Sequence, residues 1–170
     1  MKNDFPNAIK SKVQKCFCIL LAIAMVTPFI TPSAHAQGDV YVTVSAGDMF
    51  TAAIKEDGSL WTWGRNRYGD LGDGTTVDRF YPVKVMDNVA SVSAGNEYTM
   101  AIKTDGSLWA WGSNYLGKLG DGTETERHTP VKIMDDVATV SAGDYYAAAI
   151  KKDGSLWLWG DNDYGKIGDG

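Results

Sequence analysis

Short apolar stretches that include β-branched and aromatic residues recur between polar and glycine-rich turns over residues 40–170, and such stretches predict β-strands. In the first part of this region the apolar stretches read VTVSAG, MFTAAIK (Met49–Lys55), SLWTW (Ser59–Trp63) and YPVKVM (Tyr81–Met86). Asp57 and Gly58 separate the second stretch from the third. Asp-Gly between two apolar runs predicts a hairpin, because glycine accepts the positive φ of the turn. We therefore expect four short strands in this part of the chain.

The same order of segments returns along the chain. DGSLWTWG at Asp57 becomes DGSLWAWG at Asp105 and DGSLWLWG at Asp153, at intervals of 48 residues. Residues 40–87 and 88–135 align without a gap and share 28 of 48 positions, and a third copy spans residues 136–170. Self-similarity at such a period indicates a repeat architecture in which each repeat is one supersecondary unit.

Each repeat carries two tryptophans on one face of its third strand, since side chains alternate along a strand. Leu60 and Thr62 occupy the other face, so the strand is expected to be buried on both sides. We predict that a neighbouring repeat covers each tryptophan pair, as in the stacked blades of a β-propeller. The fold class predicted is all-β, a partial propeller of about 2.75 four-stranded blades. The pairs are Trp61 and Trp63, Trp109 and Trp111, and Trp157 and Trp159.

Residues 1–36 differ from the repeats in composition. Four lysines precede the apolar run CFCILLAIAMV, and the segment ends in Ala34-His35-Ala36, a small-x-small pattern that a signal peptidase accepts. We predict a helical signal segment that is cleaved, followed by propeller repeats over residues 37–170. The alternative is a transmembrane anchor, although the apolar run is shorter than the roughly 20 residues that span a bilayer. The expected location is secreted, periplasmic or at the cell surface.

The net charge and the positions of the cysteines limit the chemistry and the classes of partner that we expect for the chain. The full chain has a formal net charge of −5, and removal of residues 1–36 changes it to −8 because that segment carries four Lys and one Asp. Both cysteines also lie in that segment, so the mature chain is expected to hold no disulfide and no thiol chemistry. An acidic chain without a basic stripe argues against nucleic acid and against an anionic membrane surface as partner.

The stretch SAGDMFTAAIKEDGSLWTWGRNRYGDLGDGT resembles the repeat of the regulator of chromosome condensation family in its bacterial exported form. The chain departs from that family's pattern where Phe50, Tyr98 and Tyr146 replace the strand histidine, and where Asp70, Lys118 and Lys166 replace a usual glutamine. The resemblance covers residues 40–170. The residues that carry it are Gly47, Asp57, Gly58, Trp61, Trp63, Gly64, Asn66, Gly69, Leu71, Gly72, Gly74 and Pro82.

The resemblance implies a seven-bladed propeller, which needs about twice the length of this chain. Three interpretations remain open at this stage. The chain is a fragment of a longer propeller, it assembles with copies of itself through its open blade faces, or it stands alone as a short open stack. Terminal repeats normally need a polar outer face.

Positions that vary between repeats are the candidates for binding. The connection after each WG motif is longer than an ordinary hairpin loop, and its side chains differ from copy to copy. One interpretation is variation of solvated loops, and the other is a recognition surface with tyrosine and arginine anchors. The candidate binding residues are Arg65, Arg67, Tyr68, Tyr115, Lys118, Asp163, Tyr164 and Lys166.

Positions that are constant between repeats are expected to serve the scaffold. Gly69, Gly72 and Gly74 are predicted to allow loop turns rather than to bind phosphate, because the strand, loop and helix of a nucleotide motif are missing. Asn66, Asn114 and Asn162 are predicted to stabilise turns by side-chain bonds to the backbone. Asp161, Asp163 and Asp169 offer oxygen ligands to calcium, but their spacing is not that of a calcium loop, and we predict no metal and no cofactor.

No catalytic residues stand out. His128 is the only histidine after the signal segment, and no triad, paired carboxylate or metal cluster is evident. We therefore predict an exported, non-catalytic repeat module that binds a protein or a glycan. The first alternative is guanine nucleotide exchange, which the family resemblance implies and which requires a cytoplasmic chain. The second is the targeting scaffold of a larger enzyme.

Overall fold

The computed structural model describes residues 39–169 and places every predicted apolar stretch on a β-strand. The predicted signal segment, residues 1–36, lies outside the described residues. Two single-turn 3-10 helices, Tyr115–Gly117 and Asp163–Gly165, are the helical content of this part of the chain, and neither approaches the length of a membrane span. The strands are β1 Tyr41–Ala46, β2 Phe50–Lys55, β3 Leu60–Gly64, β4 Arg79–Met86, β5 Val89–Ala94, β6 Tyr98–Lys103, β7 Leu108–Gly112, β8 Arg127–Met134, β9 Val137–Ala142, β10 Tyr146–Lys151 and β11 Leu156–Gly160.

The strands form three antiparallel sheets, one for each repeat. The first sheet has the order β1-β2-β3-β4, the second β5-β6-β7-β8 and the third β9-β10-β11. We call them blades 1, 2 and 3. The inner strands of successive blades contact one another, β1 with β5 and β5 with β9. The prediction of an all-β fold made of propeller blades is confirmed. The fourth strand begins at Arg79, two residues before the predicted start, because Arg79 still pairs with Gly64.

The hairpin between β2 and β3 has the predicted Asp-Gly turn. Gly58 has a φ of +79°, a value that glycine adopts without a Cβ clash. Asp57 Oδ1 accepts hydrogen bonds from Ser59 N at 2.9 Å and from Ser59 Oγ at 2.6 Å. These bonds lower the pKa of Asp57 below its usual value, and the bond from the Ser59 hydroxyl has the largest effect. The same turn recurs at Asp105 and Asp153.

The core lies between blades rather than inside them. Between blades 1 and 2, Ile54 and Leu60 of the first blade pack against Val89, Ala101 and Trp111 of the second. The corresponding cluster between blades 2 and 3 contains Tyr98, Met100, Ile102, Leu108 and Leu119 of blade 2 with Val137, Ala147 and Ala149 of blade 3. Each blade therefore buries its leucine-bearing face against the tryptophan-bearing face of the next blade.

The two tryptophans of a pair have different environments. Trp111, the second of its pair, is fully buried, and its indole N–H donates to the Asp70 carbonyl of blade 1 at 3.0 Å. Trp109, the first, is half-buried and donates to Ser107 Oγ of its own blade at 2.9 Å. Trp157, the counterpart of Trp109 in blade 3, is 51% exposed. A neighbouring blade thus covers the second tryptophan completely but the first only in part, since Trp109 also packs against the cluster between blades 1 and 2.

Gly72 shows how closely the second tryptophan docks. Its φ is +77°, and a Cβ at this position would lie 2.5 Å from the indole nitrogen of Trp111. Gly120 of blade 2 makes the same approach to Trp159 of blade 3, at 2.6 Å. Gly72 and Gly120 therefore satisfy two requirements, the turn conformation that was predicted and a close contact with the next blade.

Candidate functional site

Two sets of loops lie at one end of the blades. In an antiparallel sheet with the order β1-β2-β3-β4, the β1–β2 turn and the β3–β4 connection lie at the same end of the strands. The three inner turns, each beginning with a glycine at 47, 95 or 143, surround a cavity of about 190 Å³. The long connections, residues 65–78, 113–126 and 161–169, lie outside them. We call this end the loop face.

One asparagine organises each long connection. Asn66 Nδ2 donates to the carbonyls of Thr75 and Val77 at 3.0 and 3.1 Å, and its Oδ1 accepts from Leu71 N at 3.0 Å. Asn114 makes the same three bonds in blade 2. Both asparagines are fully buried. The prediction that these residues stabilise turns is confirmed, since one amide side chain satisfies backbone groups from three parts of the loop.

An aspartate and an arginine close the long connection in blades 1 and 2. Asp73 Oδ2 accepts from Arg79 Nε at 2.6 Å, and Asp73 Oδ1 accepts from Thr75. Burial acts to raise the pKa of Asp73, but the hydrogen bonds from Thr75 and Arg79 outweigh it, so its pKa lies below the usual value. Asp121 and Arg127 repeat the pair in blade 2 at 2.7 Å. The backbone of the long connections is therefore held by bonds within each loop.

The loop positions whose residues differ between the blades lie in these long connections, and most of their side chains are exposed. Arg67, Tyr115 and Asp163 occupy the same position in successive blades and are all exposed. At the next position Tyr164 is fully exposed, whereas Tyr68 is half-buried with the Arg67 guanidinium 5.2 Å from its ring centre. Five of the predicted candidates thus lie together in the outer loops.

The other three predicted candidates are less exposed and are paired or buried. Arg65 is half-buried and forms an ion pair with Glu97 of blade 2 at 3.5 Å. Lys166 is half-buried and pairs with Asp161 of its own loop. Lys118 was predicted with the exposed loop set, but it is only 1% exposed.

Lys118 lies between blades 2 and 3 because its loop turns inward at this position. Its Nζ donates to the Asn96 carbonyl at 2.7 Å and lies 5.0 Å from the ring centre of Tyr98 and 5.6 Å from that of Tyr145. Burial lowers the pKa of Lys118, and the carboxylate of Glu97 counteracts that shift. Lys118 therefore contributes to the interface between blades rather than to an accessible surface.

Asp70 occupies the equivalent buried position between blades 1 and 2. The residue is 1% exposed, and its carboxylate Oδ1 has no hydrogen-bond partner among the described residues. Burial, followed by the charge of Glu97, raises the pKa of Asp70 to about 7, against the opposing effect of the Tyr68 backbone N–H. Its backbone carbonyl accepts from Thr99 Oγ1 at 2.8 Å as well as from Trp111. A titratable carboxyl is thus buried at a blade interface.

Two tyrosines acquire their roles only from the stacking of blades. Tyr98, which stands where the family's histidine is usual, is fully buried and donates its hydroxyl to the Tyr146 carbonyl of blade 3 at 2.8 Å. Burial raises its pKa well above the usual value. Tyr145, which sequence reasoning missed, lies on the loop face with its ring centre 6.2 Å from that of Tyr115. The sequence offered one signal for Tyr145, its position directly after the SAGD turn.

The acidic residues of the third long connection are engaged within their own loop. Asp161 accepts from Asp163 N and pairs with Lys166, and Asp169 Oδ1 accepts from Asn162 Nδ2 at 2.8 Å. Across residues 39–169, no three His, Cys, Asp or Glu side chains form a group that could hold a metal ion. His128 lies on β8 with Glu126 3.6 Å from its Nε2.

Comparisons with known proteins agree with this geometry. Two family models, both described as the regulator of chromosome condensation (RCC1) repeat, match the chain, one over residues 57–102 and 105–150 and the other over 41–70, 89–118 and 137–166. Among curated proteins, the ultraviolet-B receptor UVR8 of Arabidopsis thaliana is 52% identical over 42 residues, which are 25% of this chain and 10% of that protein. The E3 ubiquitin-protein ligase HERC2 of Homo sapiens is 40% identical over 53 residues, which are 31% of this chain and 1% of that protein.

Solved structures give the same fold. Human WBSCR16 superposes with a TM-score of 0.68 at 21% identity, over 75% of this chain and 34% of that one. Yeast RCC1 (Prp20), bound to Kap60, superposes with a TM-score of 0.69 at 21% identity, over 76% of this chain and 34% of that one. The chain thus spans about a third of these propellers and a tenth or less of the curated relatives. With repeats, blades and blade contacts of this kind, the chain belongs to the family of regulator of chromosome condensation (RCC1) repeat proteins.

Proposed function

We propose that the chain is a non-catalytic binding scaffold whose loop face presents different side chains on a repeated framework to a protein or a glycan. One observation carries the proposal. A single loop position holds Arg67, Tyr115 and Asp163 in three successive blades, all exposed, beside asparagine-centred bonds that are the same in blades 1 and 2. Binding residues are commonly held on loops that a rigid scaffold positions.

The aromatic residues of the loop face support recognition by contact. Tyr115 packs edge-on against Tyr145, with an angle of 76° between the rings, and both remain largely exposed. Tyr164 is fully exposed. Tyrosine and arginine are the side chains that most often anchor protein interfaces, because they offer a large contact area together with a hydrogen-bonding group. The loop face therefore combines aromatic anchors with charged side chains of both signs, such as Arg67 and Asp163.

Three carboxylates of the long connections support a role without catalysis. Asp73 and Asp121 each hold an arginine of their own blade, and Asp161 holds Lys166. A general acid or base has to reach the proton that it transfers, and these groups are occupied by bonds that shape the loops.

The binding proposal predicts a loss that is confined to the loop face. A variant with Arg67→Ala, Tyr115→Ala and Tyr164→Ala is expected to lose at least about tenfold in affinity, because anchor residues dominate binding energy. The probes are binders selected with the wild-type chain from a displayed peptide library and from arrayed glycans. Affinities are measured by calorimetry, and circular dichroism verifies the fold.

Thr104→Ala serves as the control because Thr104 is exposed in the β6–β7 turn, at the opposite end of the blades. Its affinity for the same binders is expected to equal that of the wild type. The proposal would be contradicted by binders whose affinity is unchanged for the triple variant but reduced for Thr104→Ala.

We also propose that the chain is exported, on the basis of the basic start, the apolar run and the Ala34-His35-Ala36 pattern. Mass spectrometry of the protein purified from its native host is expected to find an N-terminus at residue 37. An intact Met1 would contradict export, and nucleotide exchange on a cytoplasmic GTPase would then become the interpretation to test.

A further inference from the structure

The inner turns of the three blades line a cavity on the loop face. Its volume is about 190 Å³, and its walls are residues 46–48, 94–96 and 142–144. The inner strands contact one another in sequence, β1 with β5 and β5 with β9, so the turn of blade 2 lies between the other two. A volume of this size accommodates one side chain, whereas sites for whole small molecules commonly measure about 300–1,000 Å³.

Hydrogen bonds between blades hold the three inner turns together. Ala94 N donates to Ser45 Oγ of blade 1 at 2.9 Å, and Ala142 N donates to Ser93 Oγ of blade 2 at the same distance. The positions of the cavity walls are thus fixed relative to one another by contacts between neighbouring blades.

The glycine N–H groups of these turns are already engaged. In each turn the glycine N–H donates within its own blade, to the carbonyl three residues further along, at 2.9 to 3.0 Å. These glycines are Gly47, Gly95 and Gly143. Successive backbone N–H groups of turns bind anions in many proteins, but here the glycine donors are not available to a ligand.

Three polar side chains line the cavity, and two of them are negatively charged. Asp48 and Asp144 occupy the same position in blades 1 and 3 and are exposed, and Asn96 occupies this position in blade 2. Carboxylate and amide oxygens accept hydrogen bonds, so a cation with several donors complements them. Because no three acidic, histidine or cysteine side chains of residues 39–169 converge as they do around a metal ion, the cation that fits is an organic one.

Two positive groups near the inner turns are bound by other residues. Lys118 is buried, and its Nζ donates to the Asn96 carbonyl at 2.7 Å. Arg65 forms its ion pair with Glu97 at 3.5 Å. The exposed charges among the residues that line the cavity are those of the two aspartates.

An exposed tyrosine pair adjoins the inner turn of blade 3. Tyr145 follows Asp144 in the chain, and its ring centre lies 6.2 Å from that of Tyr115. The two rings are 43% and 63% exposed. The Lys118 ammonium lies 5.6 Å from the Tyr145 ring centre, so this ring already stabilises one cation from inside the protein. From the solvent side, the pair offers the same kind of contact to a ligand.

We propose that this cavity binds an arginine side chain of a partner protein, with the guanidinium between the carboxylates of Asp48 and Asp144. The residues that flank the arginine lie on the pair formed by Tyr115 and Tyr145. Guanidinium has five donors in one plane, binds carboxylates from two directions and stacks on aromatic rings. The inference rests on the proposed function, since it names the partner of the loop face as a basic protein segment rather than a neutral glycan.

The test titrates the full chain with the capped peptide Gly-Arg-Gly and with the same peptide containing citrulline, which has the shape of arginine but no charge. The arginine peptide is expected to shift the NMR signals of the backbone amides of Gly47, Gly95 and Gly143 and to saturate with a Kd of about 1–10 mM. The citrulline peptide is expected to bind at least about tenfold more weakly, because it cannot form charge-assisted hydrogen bonds.

Variants of the chain locate the site. Asp48→Asn and Asp144→Asn together are expected to weaken the arginine peptide at least about fivefold, and Asn96 shows that asparagine fits this position of the turn. Glu56→Gln with Asp136→Asn removes two charges from exposed turns at the opposite end of the blades and is expected to leave the affinity unchanged. Asn96→Asp adds a third carboxylate and is expected to strengthen binding about twofold to fivefold.

Three results would overturn the proposal. They are the absence of any shift at about 20 mM arginine peptide, equal binding of the citrulline peptide, and an affinity that is unchanged by the two asparagine substitutions.

The binders selected with the wild-type chain separate this inference from the proposed function. Binders that depend on the loop anchors, but need no arginine and tolerate Asp48→Asn with Asp144→Asn, would leave the recognition surface in place and refute the arginine site. Binders that ignore the loop anchors, together with a bound arginine peptide, would refute the recognition surface and leave the cavity as a cation site.

Discussion

Replacement of Trp111 by alanine is expected to cost about 3–5 kcal/mol in the free energy of unfolding. The indole is fully buried between blades 1 and 2, packs against Gly72, and donates to the Asp70 carbonyl. Its removal leaves a cavity that the flanking strands cannot close without separating the blades. Because a stack of repeats is held by interfaces between nearest neighbours, the loss is expected in the contact of blade 1 with blade 2. Urea unfolding followed by circular dichroism measures it.

Trp157→Ala is the matched control, since it removes the same side chain from a site that is 51% exposed. Its effect on the urea midpoint is expected to be less than half that of Trp111→Ala. Amide exchange gives a second measurement, with faster exchange expected in β2 and β6 for Trp111→Ala only. Equal losses for the two variants would contradict the assignment of the interface to the second tryptophan of the pair.

Asp70→Asn is expected to stabilise the protein at pH 8 and to have little effect at pH 4. Burial raises the pKa of Asp70 to about 7 in the folded chain, from a usual value of 3.8. A raised carboxyl pKa means that the folded state favours the protonated form. The stability that this form provides is complete below the unfolded pKa and is lost as the pH rises through about 7. The shift corresponds to at most about 4 kcal/mol, and asparagine, which stays neutral, avoids that loss.

The measurement is the free energy of unfolding of both proteins between pH 4 and pH 8. The wild-type curve is expected to fall relative to that of Asp70→Asn across this range. Asp87→Asn is the control, since Asp87 is exposed in the turn after β4 and pairs with Lys84 on the surface. It is expected to leave the pH dependence of the wild type unchanged. A fall that persists in Asp70→Asn would assign it to another group.

Burial is the main cause of the raised pKa of Asp70, and the charged groups that face the carboxyl modify it. Glu97, from the first turn of blade 2, raises its pKa, whereas Arg65 and the buried Lys118 lower it. Neighbouring aspartates of the loops have the opposite shift because hydroxyl and guanidinium donors bind them.

Local chemistry made the strands and turns predictable. The Asp-Gly hairpins, the glycine turns and the asparagine bonds all involve residues that lie within about a dozen positions of one another in the sequence, and each recurs at the same place in the next repeat. The period of 48 residues showed that one unit is copied, so a strand recognised in one copy was recognised in all three. The varied loop positions were found in the same way, from differences between copies.

The sequence by itself determined the all-β class, the strand order within each blade and the residues that shape the loops, because these depend on alternation and on near neighbours in the chain. Only the tertiary structure decided that Trp111 is buried while Trp157 is not, that Lys118 lies between blades, and that Asp70 titrates near pH 7. The contacts responsible join residues of different repeats, such as Trp111 with Asp70 and Tyr98 with Tyr146. Burial and electrostatic shifts follow from which blade covers which, and that cannot be read from a single repeat.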